Sequence, residues 1–399
     1  MANVISREVP KGTPSEERGV AQRTMRPTSR AAQKRLDNLF ERMSGGKRGP
    51  MLLMPTGGTI EHVFSMTEDG LVYPQHSVIP PYLDKLQLHL EVEVVEQTLK
   101  DSRDITYADR KKILETIRGS TLRRILIPSG LFAIPDIGKY LLSELGNTDK
   151  TIVLYGARAP LEWAKSDAPF VTGFSMGATL ALEPGVYASI DGRIIDVRDI
   201  ELNALGQLER STDMASGRLD KLFGMLQDPG IVHIADMGGT IGSIWSPTKD
   251  TAIVAPEPLI PVYLRSLELL ELEFEHSDVA RKDSRDLVHG DYVKLRDTIL
   301  ESPHRTITVP IGTYKMVDTA QFIHDELKNH PEAQDKTIVF YGAMIPLTGY
   351  LPSDASFNMG FGTASALVLP PGVYVVMNGR VFEVDKVQKN LGKGRFEEA

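Results

Sequence analysis

The sequence predicts an α/β protein built from two tandem copies of one parallel-sheet unit. Three observations carry this. The second half of the 399-residue chain repeats the first in order. Short apolar runs rich in β-branched residues alternate with helical patterns, as in parallel sheets covered on both faces. Hydrophobic residues make up 41% of the chain and charged residues 25%, enough to bury a core in each copy without a disulfide or metal.

The repeat is read from five ordered matches. Arg35-Leu36-Asp37 with Leu39-Phe40 returns as Arg218-Leu219-Asp220 with Leu222-Phe223, and Gly57-Gly58-Thr59-Ile60 returns as Gly238-Gly239-Thr240-Ile241. Lys100-Asp101-Ser102-Arg103-Asp104 returns as Lys282-Asp283-Ser284-Arg285-Asp286. TIVLYGA at 151–157 returns at 337–343 as TIVFYGA, and PGVYASIDGR at 184–193 returns at 371–380 as PGVYVVMNGR. The offsets lie between 181 and 187, as one duplication with short loop insertions would leave them. The period is far too long for a solenoid repeat. The expected division is a basic flexible tail over 1–30, a first unit over 31–212 and a second over 213–399.

Within a unit the elements follow in order. MLLMP (51–55) and IVHIAD (231–236) are apolar runs ending before Gly-Gly, read as strands. LEVEVVEQ (90–97) and LELEFEHS (270–277) alternate with the period of a strand. Helical patterns follow at 107–119 and 290–302, then strands at RRILIP (123–128) and RTITVP (305–310). TIVLYGA and TIVFYGA are central strands. The final segment is a strand that turns at Asp191-Gly192. Ligands of such sheets bind beyond the carboxyl ends of the strands, where the Gly-Gly-Thr and Ser-Arg-Asp segments fall.

Charge and composition set limits. The net charge is −8, divided into +6 over residues 1–50 and −14 over the rest. An acidic body does not suggest nucleic-acid binding. There is no cysteine, so thiol chemistry and Cys-ligated metals are excluded. Histidine spacing gives no metal motif, and neither a metal nor a cofactor is expected. No apolar run reaches the ~18–20 residues of a membrane span. The N-terminus lacks the apolar stretch of a secretion signal. No membrane association and a cytoplasmic location are therefore the expectation.

Gly-Gly-Thr after a strand lets a ligand approach the backbone and exposes a hydroxyl. That hydroxyl is a nucleophile only if a neighbouring group takes its proton; otherwise the segment is a tight turn. Ser-Arg-Asp supplies a hydroxyl, a carboxylate and a guanidinium that can clamp a carboxylate; Asp104 or Thr106 can equally cap the helix that follows. Gly173-Phe174-Ser175-Met176-Gly177 fits the nucleophile-elbow pattern, but it lies in a helical stretch and its counterpart, Gly360-Phe361-Gly362, has no Ser.

PTGGTI (55–60), DSRDIT (101–106), YGAMIPLTGYLPSDASFN (341–358) and PGVYVVMNGRVF (371–382) together resemble the type I and type II L-asparaginases of bacteria and archaea. The resemblance covers most of residues 50–395 and is to that family's N-terminal domain. It implies two asparaginase N-domain-like, flavodoxin-like units related by a pseudo-twofold axis. Those enzymes hydrolyse the side-chain amide of asparagine through a Thr matched by Thr59 and Thr240. Their carboxylate-binding Ser and Asp are matched by Ser102 and Ser284 and by Asp104 and Asp286, with Arg103 and Arg285 as the middle residue. A later Gly-Thr-Asp-Thr segment, whose first Thr works with a Lys and whose Asp binds the substrate ammonium, departs from the pattern. It reads Gly130-Leu131-Phe132-Ala133 in the first unit and Gly312-Thr313-Tyr314-Lys315 in the second. The Lys position is Leu202 in the first unit and Lys389 in the second. The family's smaller C-terminal domain is replaced by the second unit.

The first unit therefore reads as chemically disarmed. In the second, Thr240 would be activated by Lys389 or Lys315, with Ser284, Arg285, Asp286 and Thr313 holding the substrate. The cations favour a small acidic amide or dicarboxylate over a plain amino acid. Three readings stay open: an amidohydrolase using Thr240, a non-catalytic sensor of a small anionic metabolite, and a structural or assembly role. Relatives of this family are oligomers, and a tandem pseudo-dimer leaves every state from monomer to tetramer open.

Overall fold

The computed structural model describes residues 4–5, 38–44, 50–202, 208–210, 221–227, 229–267, 272–349 and 352–399. Each unit is built on one sheet. In the first, six strands run in the order Val92–Val94, Met51–Leu53, Arg124–Pro128, Thr151–Tyr155, Gly185–Ile190, Arg193–Asp196. All neighbours are parallel except the last pair, an antiparallel hairpin. The second unit repeats the order with Glu273–Lys282, Ile231–Gly238, Thr306–Pro310, Thr337–Tyr341, Gly372–Met377 and Arg380–Glu383. The hairpins turn at Asp191-Gly192 and Asn378-Gly379, where all four residues have positive φ, the conformation that Asp, Asn and Gly adopt at least cost.

Two strand expectations shift in length. The first unit's edge strand shrinks to Val92–Val94, while its counterpart extends to Glu273–Lys282. The longer strand has a partner beyond it. Val4–Ile5, placed by the sequence in a flexible tail, pairs parallel to it with Val4 opposite Phe274. The remaining residues of 1–30 lie outside the described ones.

Both central strands, Thr151–Tyr155 and Thr337–Tyr341, are buried along their whole length, because helices cover each sheet on both sides. Outer helices such as Tyr107–Gly119 and His289–Glu301 pack each unit's own core. The inner layer is shared. Ala168–Ala181 of the first unit lies against Ala355–Val368 of the second, and one apolar core contains Val153, Phe174 and Ile194 with Val339, Phe361 and Val381.

Small residues make that contact possible. A Cβ on Gly173 would collide with the Phe357 carbonyl, and one on Gly360 with the Phe170 carbonyl. The two contacts exchange equivalent residues, as a pseudo-twofold axis requires. Tyr82 and Tyr263 repeat the exchange, donating to the carbonyls of Ser353 and Ser166 respectively. Ser175 of the elbow-like motif is buried in this layer, with its hydroxyl donating to Ser189 at 2.7 Å. No substrate reaches it, because it is sealed between helix Ala168–Ala181 and the strand Gly185–Ile190 of its own sheet.

Candidate active site

The two Gly-Gly turns open the sites. Gly57 and Gly58 have φ of 104° and 83°, Gly238 and Gly239 of 76° and 82°, a region that L side chains adopt only under strain. Space forbids a side chain as well. A Cβ on Gly58 would strike the Gly130 backbone, and one on Gly239 the Gly312 backbone. Thr59 and Thr240 begin the 3-10 turns Thr59–Glu61 and Thr240–Gly242 and are half-buried at the mouth of each sheet.

The Ser-Arg-Asp loops fold on themselves. Asp101 caps its 3-10 turn by accepting from the Arg103 backbone N–H, and the Arg103 side chain closes a two-pronged pair on the same carboxylate at 2.9 and 2.8 Å. Asp283 and Arg285 repeat this at 3.0 and 2.7 Å. The Arg103 guanidinium and backbone N–H hold the Asp101 carboxyl down to about 2, and Arg285 lowers Asp283 likewise. The sequence offered these arginines as clamps for a ligand carboxylate. In the structure their forks engage the Asp two residues earlier, and the side chains are exposed. Ser284 is 3% exposed, wedged against Gly312, as Ser102 is against Gly130. Asp104 and Asp286 are exposed beside them. The cap of helix Tyr107–Gly119 is Thr106, which exchanges hydrogen bonds with Asp109.

The loop after the third strand separates the units. In the second, Lys389 Nζ donates to Thr313 Oγ1 at 2.6 Å, and burial pushes the lysine below its usual range. Lys389 stands on the C-terminal hairpin, opposite Phe396. Leu202 holds the equivalent hairpin place in the first unit, opposite Leu208. Leu131 likewise stands in the place of Thr313: its side chain packs at Gly156 as that of Thr313 packs at Gly342. An amine–hydroxyl pair in one unit is a pair of leucine positions in the other. Tyr314 and Phe132 are both exposed. Lys315 is the N-cap residue of helix Met316–Leu327, with its carbonyl accepting from Thr319.

The sequence reading missed Tyr73. It follows the hairpin of Val63–Ser65 and Gly70–Val72 that leaves the first Gly-Gly-Thr. Its ring centroid is 4.4 Å from that of His62. Burial and the Asp101 carboxylate push its hydroxyl up to about 12, against the pull of the Gly58 backbone N–H. Hairpin register puts Val254 in its place in the second unit. Nothing around Tyr73 in sequence marks it; the folded hairpin brings it back over the turn.

A mixed α/β fold of two parallel-sheet units, each with a glycine turn presenting a threonine beyond a strand end, defines the class. The family model "Asparaginase, N-terminal" matches residues 51–208 and again 231–395, and the chain belongs to the asparaginase family. Solved structures resemble it at low identity. L-asparaginase I from Vibrio cholerae is 22% identical over 42% of this chain, with TM-score 0.35, and the match spans 51% of that enzyme, about half its length. The thermostable L-asparaginase from Thermococcus kodakarensis is 14% identical over 82% of this chain and 88% of its own, TM-score 0.38. A probable cytoplasmic L-asparaginase from Campylobacter jejuni is 12% identical over 67% and 85%, TM-score 0.34. No curated protein matches the sequence. Among the described residues, no helix is long and apolar enough to cross a membrane.

Proposed function

We propose that the second unit is a threonine amidohydrolase acting on a small acidic amide, and that the first unit carries no chemistry. The hydrogen bond between Lys389 and Thr313 carries the reading. A lysine whose charged form is disfavoured by burial is present to a larger extent as the neutral amine, the form that can act as a general base. Thr313 and Thr240 each follow a glycine of the contacting pair Gly312 and Gly239, so the lysine-paired loop adjoins the nucleophile's loop. In this mechanism Thr240 Oγ bonds to the amide carbon, and its proton leaves through Thr313 and Lys389. The C–N bond breaks with that proton delivered to ammonia, and water then cleaves the ester. Tyr314, where the family has an ammonium-binding Asp, supports a substrate without an α-amino group. The leucines at 131 and 202 support an inert first unit, since a threonine without a base is a poor nucleophile.

The test is ammonia release from asparagine, glutamine, succinamate and related acidic amides. Wild type releases ammonia fastest from an acidic amide lacking an α-amino group, Thr240→Ala releases none, and Thr59→Ala matches wild type. Absence of release from every amide, with a dicarboxylate raising the melting temperature, moves the assignment to an anion sensor.

A further inference from the structure

The geometry points to Asp236 and His276 as positioning residues for Thr240, a buried pair that fixes the second Gly-Gly turn and has no counterpart in the first unit. This rests on the reading of Thr240 as the nucleophile. Strand Ile231–Gly238 pairs in steady register with Glu273–Lys282 as far as Asp236 opposite Asp278; the next pair is Gly238 opposite Lys282. The ladder is interrupted where the chain enters the turn. At this break Asp236 Oδ1 accepts from the Gly238 backbone N–H at 2.9 Å. Its other oxygen, Oδ2, accepts from His276 Nε2 at 3.2 Å.

Both side chains are almost wholly buried, His276 8% exposed and Asp236 4%. Removing a carboxylate from water is costly unless both oxygens are engaged. Here they are, and one of the partners is the turn itself. The first unit has Pro55 in the place of Asp236, by the same offset that relates Gly57 to Gly238. Strand register puts Val94 in the place of His276. Proline fixes its own φ but offers no side-chain acceptor. The unit with the amine–hydroxyl pair thus also has an anchored turn. Gly239 lies against Gly312, so the turn that Asp236 holds is also the surface on which the Thr313 loop rests. Freeing Gly238 loosens that contact and with it the placement of Thr240 relative to Thr313.

The experiment uses the full chain with ¹⁵N-glycine labelling. Native-state amide exchange is read at Gly238 and, as an internal control, at Gly57, alongside kcat and KM for ammonia release. In Asp236→Ala the Gly238 amide is expected to exchange about tenfold to a hundredfold faster, the range set by losing a hydrogen bond to a charged group, with Gly57 unchanged. A fall in kcat at nearly constant KM accompanies it. Asp236→Asn keeps an acceptor for Gly238 and recovers most of the protection; His276→Gln gives an intermediate value. Unchanged exchange at Gly238, equal acceleration at Gly57, or Asp236→Asn behaving like Asp236→Ala would overturn the proposal. Where Asp236→Ala does not fold, the Asn and Gln variants decide it by the same readings. If wild type releases no ammonia, the amidohydrolase reading fails, while the exchange at Gly238 still decides whether Asp236 latches the turn.

Discussion

The two units share a frame and differ in what it holds. Both keep the Gly-Gly turn, the capped Ser-Arg-Asp loop and the same strand order. Among the described residues, only the second pairs an amine with a hydroxyl beside its turn, and only the second latches that turn with a buried carboxylate. The first unit keeps Tyr73 against its turn, where the second has Val254. A frame held by glycine contacts and backbone caps does not depend on Lys389 or on the Thr240 hydroxyl, because neither takes part in those contacts. Retention of Gly-Gly-Thr therefore says little about activity; the residues at 131, 202, 313 and 389 say more.

The sharpest way to break the contrast is to make the second unit like the first. Lys389→Leu is expected to lower kcat/KM by about 10²–10⁴, the range of a lost general acid–base group. The same change should raise the melting temperature. Burial lowers the Lys389 pKa, so between the folded and the unfolded values the unfolded chain binds the extra proton, and wild-type stability rises with pH across that window. The leucine variant loses this slope. A variant that keeps full activity removes Lys389 from the mechanism.

A second change separates the units physically. Gly360→Val pushes a side chain into the Phe170 carbonyl and should cost at least about 1–3 kcal/mol in urea unfolding. Gly173→Val should match it, since the contact is reciprocal. Gly119→Ala, with no neighbour in reach, should be neutral or slightly stabilising. Unequal effects at 173 and 360 would break the pseudo-twofold description of the interface.

The third prediction concerns a group that only the first unit has. Glu61 is fully buried and accepts from the Ser77 hydroxyl and the Val78 backbone N–H at 2.7 and 2.8 Å. Burial lifts its carboxyl to about 7 from its usual 4.5; the second unit has Gly242 there. Between those values the folded chain keeps a proton that the unfolded chain has lost. Stability therefore falls as pH rises through that window, by on the order of 1–3 kcal/mol. Glu61→Gln should flatten that limb in urea titrations at pH 5 and pH 8; an unchanged slope would assign it elsewhere.

The smallest effects lie at the surface. Arg285→Gln and Arg103→Gln each remove an exposed ion pair, screened by solvent, and should leave stability almost unchanged in urea unfolding. If Arg285 leaves Asp283 to meet an acidic substrate, its variant raises KM and that of Arg103 does not. Equal KM values would confine both arginines to capping.

Much of the fold was legible because its causes are local. The duplication, the buried strands, the turns at Asp191-Gly192 and Asn378-Gly379 and the glycines before Thr59 and Thr240 are written in adjacent residues. Backbone conformation and short hydrogen bonds require those residue types at those places. The loss of reactive groups at Leu131 and Leu202 was legible too, since a hydrocarbon cannot take a proton anywhere in a fold. The Arg285 pairing is local but ambiguous, as a guanidinium two residues from a carboxylate can turn to it or to a ligand.

Sequence alone thus determined that there are two units, which strands form each, and which unit retains chemically capable side chains. Tertiary structure decided which distant groups meet. Lys389 reaches Thr313 across 76 residues, Asp236 finds His276 across 40, and Tyr73 returns over its turn. It also buried Ser175 between its helix and the sheet. Such pairings depend on which face each strand turns to its neighbour and on how two sheets share one layer of helices, relations between segments that no single stretch of residues encodes.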